Sequence, residues 1–91
     1  MPRYLVERTF PNGLSIPTDE KGAAVCLSVV DNNQAESVTW VHSYVTPDRN
    51  KTYCIYDGPN PEAIRNTAER NSLPVDSITE VRVLDPYFYH V

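Results

Sequence analysis

Glycine is scarce in this 91-residue chain: Gly13, Gly22 and Gly58 are the full set, and they stand too far apart to form a phosphate-cradling loop. Cysteine is scarcer. Cys26 and Cys54 make neither a C-x-x-C pair nor a disulfide framework. The two histidines, His42 and His90, form no H-x-x-x-H, and no nucleophile elbow is present. Positive charge is thin as well. Eight Lys and Arg face twelve Asp and Glu, for a net charge of −4, and the basic residues are scattered singly from Arg3 to Arg82. Phosphate binding needs clustered cations, so a nucleic-acid partner or an acidic membrane surface is not expected. No apolar run approaches about 20 residues, and no long apolar stretch follows the first residues, so neither a membrane span nor a signal peptide is predicted. These absences predict a soluble, cytoplasmic chain with reduced thiols. Residues 1–91 are expected to form one domain near the lower size limit of a single core, for which homodimerisation is a common source of extra stability.

The positive content is a regular alternation of periodicities. Residues 4–10 alternate imperfectly, with Tyr4, Val6 and Phe10 on one side and Leu5, Glu7 and Thr9 on the other, which predicts a strand ended by Pro11-Asn12-Gly13. Thr18 is placed to cap a helix, with Asp19 and Glu20 in its first turn and Ala23, Cys26, Leu27 and Val30 at helical spacing, failing near Asn32-Asn33. Residues 37–46, SVTWVHSYVT, read as a strand. Pro47-Asp48-Arg49-Asn50 is a turn, and residues 51–57 complete a hairpin. Asn60-Pro61-Glu62 combines a cap, a first-turn proline and a favourable negative charge, so a second helix starts there. Ala63, Ile64, Thr67 and Ala68 are its apolar stripe, and Asn71-Ser72 and Pro74 stop it. Residues 78–84 alternate as a last strand. The aromatic tail, residues 85–91, is a candidate short fifth strand or dimer clamp, and His90 lies too near the end to be a fixed ligand.

The order β-α-β-β-α-β predicts an α+β, ferredoxin-like domain: a four-stranded antiparallel sheet with the last strand beside the first, then the third, then the second, and two helices on one face. The other face stays open. Face parity is read with Val6, Val41, Val45, Val81 and Val83 toward the helices. Leu5, Glu7, Trp40, His42, Tyr44, Ile78, Glu80 and Arg82 then fall on the open side. Trp40 and Tyr44 there predict a sheet-against-sheet homodimer. Cys54 points toward the helices, where Cys26 also faces inward.

The whole chain resembles the small ferredoxin-like nickel-binding proteins of actinobacteria and other bacteria, long classed as a domain of unknown function. The resemblance is carried by Val6-Glu7-Arg8, VTWVHSYV at 38–45, YCIYDGP at 53–59, PEAIR at 61–65, LPVD at 73–76, ITEV at 78–81 and LDPYFY at 84–89. It implies a small metal-binding protein, for nickel(II) or a similar divalent ion, serving sequestration or homeostasis. Some relatives carry histidines near positions 15 and 68, where this chain has Ser15 and Ala68, and the usual glycine after the second helix is Ser72 here.

Nickel(II) favours imidazole with carboxylate or thiolate support, and with the resemblance this makes His42, Glu7 and Glu80 the candidate metal ligands. Glu7 and Glu80 fall on neighbouring strands, whereas His42 lies on the far edge strand, about 14 Å from Glu80. Such a site closes only if a dimer axis brings two subunits together. Each candidate has a plainer reading: a hydrogen-bonded interface histidine, cross-strand charge pairs, and two small core cysteines. An enzyme is the less favoured class. The alternatives are a dimeric small-molecule binder or cofactor-free enzyme using a cleft between sheet and helices, or a structural module with no metal.

Overall fold

The structure, a computed structural model, describes residues 1–14 and 20–86. The expected Thr18 cap and the aromatic tail from Tyr87 onward, with His90 and the expected fifth strand, lie outside the described residues. The element order is β1 (Arg3–Thr9), α1 (Glu20–Gln34), β2 (Thr39–Val45), β3 (Lys51–Asp57), α2 (Pro61–Arg70) and β4 (Ser77–Val81). The strands form one antiparallel sheet in the order β2-β3-β1-β4, the arrangement expected of a split βαβ fold.

α2 is built as its sequence directs. The Asn60 side chain accepts a hydrogen bond from the Ala63 amide at 2.9 Å, Pro61 fills the first helical position, and Ala63, Ile64, Thr67 and Ala68 are the buried stripe. The helix ends at Asn71, and Ser72 takes a left-handed φ of 55°, the conformation a glycine adopts without steric cost. Both helices cover the face that carries Tyr4 and Val6. The core is Tyr4, Val6, Val38, Cys54, Tyr56, Ala63 and Ile64, with Trp40, Val75 and Ile78 packed against it. Gly58 sits where a side chain would crowd this core: a Cβ there would lie 3.0 Å from Ile64 Cδ1 and 3.3 Å from Val38 Cγ2.

α1 turns a different side to the sheet from the one its strongest apolar residues suggest. Cys26 and Val29 line the helix–sheet cleft, and Gly22 and Asn33 are buried, whereas Leu27 and Val30 are exposed. An asparagine cluster explains the rotation. The Asn33 carbonyl accepts from the Val38 amide at 2.9 Å, and Asn32 Nδ2 donates to Asn71 Oδ1 at 2.7 Å. With the C-terminal turn so pinned to α2 and β2, helical spacing counted back from Asn33 places positions 29, 26 and 22 inward.

The two ends of α2 give opposite expectations. Asn60→Ala should lower unfolding stability by about 1 kcal/mol, by losing the cap. Ser72→Gly should raise it by up to about 1 kcal/mol, by relieving the left-handed backbone. Urea unfolding of the two variants beside the parent chain measures both.

Candidate functional site

Position along β2 decides what each face of the sheet can do. Trp40 pairs with Tyr56, but His42 pairs with Ile55, so Val41 is an extra residue bulged out of the ladder. In a regular strand, residues three apart point to opposite faces. Across this bulge Trp40 and Ser43 point the same way, and Trp40 Nε1 donates to Ser43 Oγ at 2.8 Å. The expectation that Trp40 faces outward and Val41 inward is therefore corrected: Trp40 packs on the core and Val41 is on the exposed side of the ladder. Beyond the bulge the predicted parity holds, with His42 and Tyr44 outward and Val45 toward the helices.

β4 is also the reverse of its expected parity. Ile78 pairs with Val6 and Glu80 with Tyr4, so both share the helix-covered side, while Val81 pairs with Arg3 on the other. Ile78, the larger apolar residue, takes the place opposite Val6 in the core, and the strand ends before Val83, which is exposed. Glu80 is thus on the opposite face of the sheet from Glu7.

On the open face, His42, Ile55, Leu5 and Thr79 form one cross-strand row, and Tyr44, Tyr53, Glu7 and Ser77 the next. His42 stacks edge-on against Tyr44, with ring centroids 5.1 Å apart. Glu7 is held by Lys51, Nζ to Oε1 3.2 Å, and this hydrogen bond and charge raise the Lys51 pKa. Lys51 also approaches Asp76, which accepts a hydrogen bond from Thr9. At the end of the same face Arg3 grips Asp57 through Nε and Nη2 at 2.8 and 3.1 Å, and this hydrogen bond holds the Asp57 carboxyl below the usual range. Two strands and one row separate His42 from Glu7, about 12 Å by strand geometry. Among the described residues, no three His, Cys, Asp or Glu side chains come together as metal ligands in one chain.

The helix-covered face holds the residue that parity could have found. Arg8 shares the side of Tyr4 and Val6 and is only 2 % exposed. Its Nε and Nη1 have no hydrogen-bond partner among the described residues, and its Cζ lies 5.5 Å from the centre of the Tyr56 ring. Beside it is a cavity of about 270 Å³ between α1 and the sheet, which Cys26 and Cys54 both border as free thiols. Cys54 Sγ donates to Thr52 Oγ1 at 3.6 Å. Burial pushes the Tyr56 phenol up to about 12, against a smaller opposing pull from Arg8. The Arg8 charge is therefore not neutralised by a tyrosinate at ordinary pH.

The comparisons agree with this architecture. A family model described as nickel responsive protein SCO4226-like matches residues 4–81. The crystal structure of SCO4226 from Streptomyces coelicolor A3(2) is similar with a TM-score of 0.71 and 20% identity, covering 91% of this chain and 99% of that one. At that identity the likeness is one of fold. No curated protein sequence matches the chain. No described helix is long and apolar enough to cross a membrane.

Tyr56 makes a pH prediction. Its phenol ionises near 10 when unfolded and about 12 when folded, so between these values the unfolded chain binds fewer protons and stability falls as pH rises. The loss should amount to about 2–3 kcal/mol by the upper end of that window. Tyr56→Phe should remove this part of the alkaline loss, as read by denaturant unfolding at a series of pH values.

Proposed function

The chain belongs to the SCO4226-like family of nickel-responsive proteins, and on that premise we propose that it is a small metal-binding protein, taking nickel or a similar divalent ion for sequestration rather than catalysis. The observation that supports this reading is the placement of His42. It is exposed on the uncovered face of the sheet, on an edge strand, and its imidazole makes no hydrogen bond with a described residue. Imidazole nitrogen is the ligand type nickel(II) prefers among those present, with carboxylate in support.

The residues of one chain do not make the site: His42 and Glu7 are about 12 Å apart, and metal–ligand bonds are about 2 Å. The reading therefore requires a second copy on the open face. Tyr44, 62 % exposed beside His42, supplies apolar area for that contact. A two-fold axis near β2 would set two His42 imidazoles toward each other, with Glu7 as the expected carboxylate ligand that shares that face. Glu80, behind the sheet, is outside such a site.

Nickel titration of the purified chain by calorimetry, with light scattering for mass, tests this. The expected result is a dimer that binds nickel more tightly than millimolar, with affinity falling at least about tenfold in His42→Ala and unchanged in Glu80→Gln. Binding no tighter than millimolar, or an unaltered affinity in His42→Ala, would contradict it.

A further inference from the structure

The cavity under α1 is chemically one-sided. Its apolar wall is Phe10, Leu14, Val25, Val29 and Leu73, and no carboxylate borders it among the described residues. Its polar groups are donors with spare capacity. Arg8 borders the cavity, and two of its buried nitrogens have no hydrogen-bond partner among the described residues. Ser43 Oγ accepts from Trp40 and Thr52 Oγ1 accepts from Cys54, which leaves each hydroxyl proton free to donate. A buried cation without a counter-ion is costly. The Tyr56 ring makes a cation–π contact with Arg8 and its hydroxyl interacts with the guanidinium, but the neutral phenol supplies no negative charge.

We propose that this cavity is a binding site for a small organic monocarboxylate with an apolar body, its carboxylate on Arg8 and its body against Phe10, Leu14, Val25, Val29 and Leu73. One guanidinium with one or two hydroxyls matches a single negative charge. A phosphate dianion would need more donors than the cavity offers. A cavity of about 270 Å³ lies at the small end of ligand pockets, which limits the body to the size of a benzene ring or a short alkyl chain. The site is on the opposite face of the sheet from His42 and does not depend on a bound metal or a second copy.

The test uses the full chain, without metal, and four probes: benzoate, hexanoate, benzamide and inorganic phosphate. Titrations are followed by NMR at the Trp40 Nε1 and Arg8 Nε resonances. Benzoate and hexanoate should move both resonances, and benzoate should bind at least about tenfold more tightly than its amide, the margin expected of a charge-assisted pair. Arg8→Met should bind benzoate and benzamide alike. The proposal is overturned if acid and amide bind the parent chain equally, if phosphate alone moves the two resonances, if no probe moves them, or if Arg8→Met keeps the preference. The comparison of benzoate with benzamide on the parent chain decides the matter alone should Arg8→Met fail to fold.

Discussion

One extra residue in an edge strand, Val41, sets the chemistry of both faces of the sheet. The bulge rotates Trp40 into the core and lets its indole donate to Ser43 across the irregularity. Without it, a regular alternation would send either Trp40 or the Ser43–Val45 side of the strand to the wrong face. With it, Trp40, Ser43 and Val45 roof the space near Arg8, while His42 and Tyr44 stand on the uncovered side. Buried polar groups constrain a strand in this way because an indole N–H inside a core must find an acceptor.

The two faces are stabilised by different physics. On the open face the strands are stitched by ion pairs, Arg3 with Asp57 and Lys51 with Glu7, which are partly exposed and individually weak. On the covered face the stabilisation is apolar burial, centred on Val6 and Ile64 and tightened where Gly58 admits both Val38 and Ile64. Arg8 is the exception there, a charge among apolar groups with two nitrogens unsatisfied among the described residues. A fold that tolerates such a cost holds an unspent electrostatic attraction, and the cavity beside Arg8 is where a small anion can use it.

Much of the architecture was legible in the residues. The order of elements, the hairpin at Pro47–Asn50, the Asn60 cap and the stripe Ala63, Ile64, Thr67, Ala68 all follow from local chemistry that acts within a few positions. The face assignments were legible only where alternation is regular. β1 is the instructive case: Tyr4 and Val6 mark the buried side, and the same count reaches Arg8, which charge alone would place in water. The start of β2, at Trp40 and Val41, and the whole of β4 were not legible, because a bulge and a choice between Ile78 and Val81 depend on what the neighbouring strand presents. Of the proposed ligands, His42 and Glu7 do share the open face but stand two strands apart, and Glu80 is behind it.

On the two proposals together, the sheet separates a metal-directed outer face at His42 from an anion-directed inner face at Arg8. Paramagnetic broadening by nickel(II) in an amide-resolved NMR titration tests this separation most directly. Broadening is expected to centre on His42, Tyr44 and Ile55 and to leave the Trp40 indole and the amides of Cys26 and α2 sharp. Broadening centred on Cys26 and Cys54, inside the helix–sheet cleft, would contradict it.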